Sequence, residues 1–337
     1  MAEGQLGMDW QVPTLDDVLE ARRRIAPHLR ETPLYRYAGL DELLGAEVYV
    51  KHENHQPVGA FKVRGGVNLV SQLSPEERRR GVVTASTGNH GQSIAFAARL
   101  FGVPATICCP EGANPVKVAS MRGLGAELVL HGRDFDDARE HCEMLAAEDG
   151  RRYIHSGNEP LLIAGVATHT LEILEQQAAI DTIIVPIGGG SGAAGACIVA
   201  RAVNPSVRVI GVQSEAAPAA YLSWQRRELV DDVMGTFAEG LATRTAFALP
   251  QQILWDLLDD FVLVGDDRIR LAQAQMIEIT RNLVEAAGAA PLAAAQSMRA
   301  ELAGRRVALI CSGGNASREQ LLDVLGGGSP AKAGEMG

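Results

Sequence analysis

The chain has 337 residues, 47% of them hydrophobic, enough to bury a sizeable core and to divide into two units. Its 31 basic and 41 acidic residues give a formal charge of -10 with no basic stripe. That balance argues against nucleic acid as a partner and fits a cytoplasmic enzyme acting on a small molecule. The opening MAEGQLGMDW has no basic run followed by an apolar core, and no apolar stretch reaches membrane-spanning length, so neither a leader nor a membrane anchor is expected.

Read in chain order, the first strand is expected over residues 46–50. It runs into Gly59-Ala60-Phe61-Lys62-Val63-Arg64-Gly65, which sets one lysine between an aromatic residue and a Val-Arg-Gly turn. A strand over 81–85 ends in Ser86-Thr87-Gly88-Asn89-His90-Gly91, and an Ala-rich helix over 89–101 follows. Strands over 105–109, 127–130 and 152–155 then alternate with helices over 115–123 and 134–148. In the second helix Phe135, Ala138, Cys142 and Leu145 fall on one stripe. The pattern restarts with a helix over 159–178 and a strand over 182–186. Gly188-Gly189-Gly190-Ser191-Gly192 leads into a helix over 191–203, and a strand over 207–212 follows. Further strands are expected over 261–264 and 307–311, and helices over 267–287 and 291–302. Ser312-Gly313-Gly314-Asn315 closes the last strand.

Strands separated by helices imply parallel sheets. The expected fold is α/β in two domains. A larger one comprises 1–80 and 158–325, a smaller one 81–157 is inserted in it, and the site lies in the cleft between them. The Gly-rich tail, 326–337, is expected to be disordered.

Each turn has a plain structural reading beside a chemical one. Glycines 188–190 and Ser191 can wrap a phosphate with bare N–H groups at a helix N-terminus. Gly190-Ser191-Gly192-Ala193-Ala194-Gly195 also fits a dinucleotide loop, so a nicotinamide-dependent dehydrogenase stays open, although Gln213 and Ser214 stand where that reading needs an acid. The 86–90 turn suits a carboxylate, or Ser86 and Thr87 simply cap a helix. Lys62 is either a surface lysine or, if buried, a nucleophile with a lowered pKa. Two metal-like groupings, His52/Glu53/His55 and Glu140/His141/Glu143, lack ligand spacing and read as solvated faces. Cys108, Cys109, Cys142, Cys197 and Cys311 show neither metal spacing nor a disulfide framework and are expected to be buried free thiols.

Together, in this order and each on a strand end, the four motifs resemble the fold-type II pyridoxal-phosphate enzymes, which are tryptophan synthase β-like. The likeness is to their threonine/serine dehydratase and serine racemase branch and runs from Pro33-Leu34 to about Asn315. The stretch Lys51-His52-Glu53-Asn54-His55-Gln56-Pro57-Val58-Gly59-Ala60-Phe61-Lys62-Val63-Arg64-Gly65-Gly66 is similar to the pattern around that family's cofactor lysine. The resemblance implies pyridoxal 5'-phosphate held as a Schiff base on Lys62, which also removes the Cα proton. Phe61 lies beside the ring, Asn89 bonds its 3'-oxygen, and Ser312 faces its nitrogen. Gly188, Gly189, Gly190, Ser191 and Gly192 cradle the phosphate. Ser86, Thr87, Gly88, Asn89 and His90 hold the substrate carboxylate.

The resemblance further implies β-elimination from an L-hydroxyamino acid, L-threonine or L-serine first, giving a 2-oxo acid and ammonia, in a homodimer. Racemisation of serine or threonine is the alternative, as is a phenylserine, hydroxyaspartate or hydroxyectoine-derived substrate. Thr87 stands where the branch's racemases carry a second serine, which favours elimination. Gln213, Ala217 and Ala219 fall where eukaryotic-type members hold a divalent cation, so no metal is expected. Gly165-Val166-Ala167-Thr168 and His155-Ser156-Gly157-Asn158-Glu159 depart from the usual wording and are expected near the substrate side chain. No regulatory domain is expected after Leu325.

Overall fold

The computed structural model describes residues 11–133 and 135–326. The first ten residues, where no leader is expected, Asp134 of the expected 134–148 helix, and the tail from 327 onward lie outside them.

Among the described residues ten strands form two sheets. They are β1 (Leu34–Arg36), β2 (Glu47–His52), β3 (Val82–Ala85), β4 (Ala105–Cys109), β5 (Glu127–Leu130), β6 (Arg152–Tyr153), β7 (Thr182–Pro186), β8 (Arg208–Ser214), β9 (Asp260–Val264) and β10 (Arg306–Cys311). The larger sheet runs β1-β2-β10-β7-β8-β9 and is parallel except at the β1–β2 edge. The smaller runs β5-β4-β3-β6 and is parallel throughout. Helices cover both faces of such sheets, which is why β3, β4 and β7 read as unbroken apolar runs and are buried.

All four strands of the smaller sheet fall within 81–157. Its core is nevertheless shared: Ala21, Ile25, Val63, Val67 and Val70 pack with Ile94, Ile107 and Met121. The helix Lys62–Ser71 lies where the two layers meet, against the helices Asn89–Phe101 and Pro160–Gln176. Glycines set that approach. A Cβ on Gly66 would come within 2.3 Å of Ser93 Oγ, and one on Gly165 within 2.7 Å of the Arg64 carbonyl oxygen. The 165–168 segment therefore belongs to a buried helix crossing. Val166, Ala167 and Thr168 are sealed in it, and the expectation that they face substrate is corrected.

The C-terminal helices also differ from expectation. The first, Asp266–Thr280, ends at Arg281 in the left-handed region, φ 57°, and the next, Ala286–Ser297, carries Pro291 inside it. The proline suggested a helix start. Burial of this apolar helix on nearly every side outweighs the one backbone bond that proline forgoes. The break falls instead at 281–285, where Glu285 N–H donates to the Gly313 carbonyl, 3.0 Å.

All five cysteines are free and buried. Among the described residues no helix is long and apolar enough to cross a membrane.

Candidate active site

Lys62 is the first residue of its helix, and the backbone before it is pinned to the turn after β10. Phe61 N–H donates to the Ser312 carbonyl, 3.0 Å, and Gly314 N–H to the Gly59 carbonyl, 2.9 Å. Gly59 has φ +66°, and a Cβ there would press on Asn315 Oδ1 at 2.7 Å, so both conformation and space require glycine. From this anchor Lys62 Nζ donates to Ser191 Oγ at 2.8 Å and to the Ser156 carbonyl at 3.2 Å. Burial lowers its pKa from 10.5 to about 8. The bland alternative, a solvated surface lysine, is thereby excluded.

Ser191 opens the helix Ser191–Val203, behind Gly190 at φ +83°. The glycine loop is packed from behind. A Cβ on Gly188 would meet the Gly240 carbonyl oxygen at 2.2 Å, and one on Gly189 would meet Phe247 at 2.3 Å. With no side chain to turn aside, the loop can offer its bare N–H groups beside a lysine tip, at a point where the helix N-terminus favours negative charge. Gly192 faces Phe61, whose ring would lie 3.1 Å from a Cβ there, and Gly195 packs on Ala167. These last glycines serve helix packing, which explains the dinucleotide-like spacing without a dinucleotide.

Asn89 joins the two layers. Its Nδ2 donates to Glu285 Oε1, 2.8 Å, and its Oδ1 accepts from Asn315 Nδ2, 2.8 Å. The amide is fixed by both contacts, and Nδ2 keeps a second hydrogen. Burial raises the pKa of Glu285, opposed by the charge of Lys117 and the bond from Asn89. Nearby, Lys117 and Glu239 form an ion pair between the layers, and Gln320 Nε2 donates to Glu239 at 2.9 Å.

In the turn after β3, Ser86 Oγ accepts from Gly88 N–H at 3.1 Å and Gly91 N–H at 2.8 Å, so its side chain is committed to the turn. Thr87 is exposed. The His90 ring turns away to Thr84 Oγ1, 2.9 Å, and burial, with Lys62 adding to it, holds that ring neutral with a pKa near 3. Only the His90 backbone is left to serve a ligand in the cleft. Ser312 is buried, and its carbonyl accepts from Phe61 N–H.

A family model described as pyridoxal-phosphate dependent enzyme matches residues 25–313. The chain belongs to that family. It is 41% identical over 300 residues to an L-threonine ammonia-lyase of Geobacter sulfurreducens, covering 88% of this chain and 74% of that protein. It is 36% identical to an L-threo-3-hydroxyaspartate ammonia-lyase of Saccharomyces cerevisiae, covering 94% of this chain and 97% of the relative. Among solved structures it resembles a serine racemase of Dictyostelium discoideum, with TM-score 0.85, 33% identity, and 90% and 99% of the two chains covered. The chain is a pyridoxal-phosphate-dependent lyase with the α/β fold-type II architecture, and the nicotinamide reading falls.

The residues fit this family's cofactor. A neutralisable buried lysine, a hydroxyl and a glycine-rich helix N-terminus meet within hydrogen-bond reach, which suits an aldehyde carrying a phosphate. Lys62 would hold the aldehyde carbon, the 188–192 loop the phosphate, and Asn89 and Ser312 would lie along the ring.

Several participants escaped the sequence reading. Arg64, two residues past Lys62, is 1% exposed and bonds Glu53 at 2.7 and 2.8 Å and Glu172 at 2.5 and 2.8 Å. Lys51 Nζ joins from β2 to Glu172 at 2.6 Å. Glu53 and His52 are thus buried, and the expected solvated face there is corrected: the carboxylate is needed to neutralise Arg64. Phe247 and Glu285 are also at the site, and no local spacing flags them, because tertiary contacts alone bring them in; Ser156, in the 155–159 segment named from the sequence, reaches Lys62 through its carbonyl. Gln213 is buried, with Oε1 accepting from Tyr221 N–H at 3.1 Å. Among the described residues no cluster of three His, Cys, Asp or Glu could hold a metal.

Proposed function

We propose that the chain eliminates the β-hydroxyl of an L-hydroxyamino acid, L-threonine or L-serine first, releasing a 2-oxo acid and ammonia. The observation that carries this reading is Lys62 Nζ, half-buried and held between Ser191 Oγ and the Ser156 carbonyl, with its pKa brought to about 8 by desolvation. The bound cofactor supplies an electron sink that makes the Cα proton removable. The protein's own residues do the rest. The 86–90 turn orients the substrate carboxylate through backbone N–H groups at the helix start, Thr87 and Asn89 among them, since the Gly88 N–H is committed to Ser86 Oγ. Lys62, released as free amine, takes the Cα proton; a base with a pKa near 8 is matched to that task at neutral pH. Asn89, held by Glu285 and Asn315, keeps the ring oriented through its remaining N–H.

The relatives' names favour ammonia-lyase chemistry, and the yeast relative makes L-threo-3-hydroxyaspartate a third candidate substrate. Racemisation is the second reading, favoured by the resemblance to serine racemases; Thr87 in the carboxylate turn argues for slow racemisation, since its branched side chain is stiff. We also propose a homodimer in the cytoplasm, with domains 1–80 plus 158–325 and 81–157 meeting at the cleft.

The test is to reduce the loaded protein with borohydride, locate the pyridoxyl mass, and assay L-threonine, L-serine and L-threo-3-hydroxyaspartate for 2-oxo acid and for D-isomer. Label on Lys62 with 2-oxo acid from one of the three is expected. Label elsewhere, or D-isomer formed as fast as 2-oxo acid, overturns the reading.

A further inference from the structure

His155 stands next to Ser156, whose carbonyl accepts from Lys62, and its ring is held in one protonation form by geometry. Its Nδ1 accepts from Gly157 N–H at 3.0 Å and Asn158 N–H at 2.9 Å. A nitrogen that accepts bears no hydrogen, so the neutral ring carries its hydrogen on Nε2. Burial, followed by the positive charges of Arg139 and Lys62, lowers its pKa to about 4, so the ring is neutral at pH 7.

The orientation is fixed as well. Phe247 meets the imidazole edge to face at 4.8 Å and 82°. Phe247 is itself wedged, since a Cβ on Gly157 or on Gly189 would each approach it to 2.3 Å. The loop bearing His155 and the glycine loop are thus clamped about one aromatic ring.

Nε2 has no partner among the described residues. Nor is it sealed in: the buried atoms left without a partner are His90 Nδ1, Arg151 Nε, His169 Nε2 and Gln273 Oε1. His155 therefore keeps an uncommitted Nε2–H, on the residue next to the one whose carbonyl accepts from Lys62 Nζ at 3.2 Å.

Three groups of residues surround that tip. Ser191 and the glycines take the cofactor phosphate, and the 86–90 turn takes the substrate carboxylate. The third, 155–158, is left facing the remaining substituent of Cα, the substrate side chain. We propose that His155 donates a hydrogen bond from Nε2 to the β-oxygen of the substrate and keeps its proton, selecting hydroxyamino acids and orienting the departing hydroxyl, which leaves as water with a proton equivalent to the one Lys62 takes from Cα. This rests on the dehydratase reading above. A site built to bond a hydroxyl discriminates strongly against analogues that lack it.

Two measurements test it. His155→Asn places Oδ1 where Nδ1 was, so the loop bonds survive while the distal donor is lost. Cofactor absorbance confirms loading, and kcat/KM is compared for L-threonine and for β-chloro-L-alanine, whose leaving chloride needs no such donor. A loss of about 100-fold on L-threonine with less than about threefold on the chloro compound is expected. Equal losses on both, or none on L-threonine, overturn the proposal. Should the variant fail to fold, 15N imidazole shifts of the wild-type protein decide it. A neutral ring protonated on Nε2 at pH 7 is expected, and a ring protonated on Nδ1 or charged at that pH overturns it. A wild-type enzyme that loads cofactor yet releases 2-oxo acid from the chloro compound alone overturns the dehydratase reading instead.

Discussion

Glu172→Gln is the most informative single change outside the cleft. Glu172 accepts from Thr32 N–H at 3.2 Å, Lys51 Nζ at 2.6 Å, and Arg64 Nη1 and Nη2 at 2.5 and 2.8 Å. Side-chain exposures across Lys51, Glu53, Arg64 and Glu172 are 0, 0, 1 and 5%. Two cations and two carboxylates balance there, almost out of water. Glutamine leaves two cations against Glu53 alone, and turns an amide N–H₂ toward donors that need acceptors. Breaking a buried pair in this way costs about 3–5 kcal/mol, a large part of the ~5–15 kcal/mol that holds a typical domain folded. The assay is urea unfolding followed by tryptophan fluorescence and far-UV circular dichroism. The control is Glu172→Gln with Lys51→Met, which restores neutrality and is expected to cost less than Glu172→Gln alone. A single variant within about 1 kcal/mol of wild type, or a double variant costing the sum of the two singles, refutes the charge-balance argument.

Four further outcomes are expected. Burial pushes Glu53 up, but the charge and bonds of Arg64 outweigh it and bring it to about 2, from 4.5; the stability it contributes is complete above pH 4.5 and is lost as pH falls toward 2, so Glu53→Gln should flatten acid unfolding in that window. An unchanged acid limb counts against it. In cofactor-free protein the rate at which Lys62 takes up pyridoxal phosphate should rise with an inflection near pH 8; an inflection above pH 10 means the lysine is solvated. Gly188→Ala should reduce retained cofactor at least about tenfold, because its Cβ would stand 2.2 Å from a carbonyl oxygen that cannot yield, and full retention by absorbance would show that the loop is not the phosphate cradle. With Gln213 and Ala219 in place of acids, EDTA should leave turnover intact, and inhibition reversed by Mg²⁺ would show a cation site.

The apolar strands were legible because strands buried on both faces leave a plain signature: 105–109 and 182–186 match β4 and β7 in full, and 127–130 matches the half-exposed edge strand β5. Short or polar elements were not. β1 and the helix Lys62–Ser71, with two glycines inside it, give weak local signals and form because tertiary packing stabilises them, whereas the helix Leu15–Ile25 escaped the sequence reading although Thr14 and Asp17 form a capping box at its start. Pro291 misled in the same way, since local propensity yields to burial.

The sequence by itself determined the backbone turns, because glycine loops at strand ends and a lysine before a Val-Arg-Gly turn are local arrangements with a local physical cause. Only the tertiary structure decided what surrounds Lys62. Ser156, Ser191, Asn89, Glu285 and Phe247 come from segments far apart in the chain, and the pKa of the lysine depends on how completely they remove water from it. The same holds for Arg64, Lys51, Glu53 and Glu172. A charged residue reads as surface in any single sequence, and its burial is repaid only when folding delivers its partners.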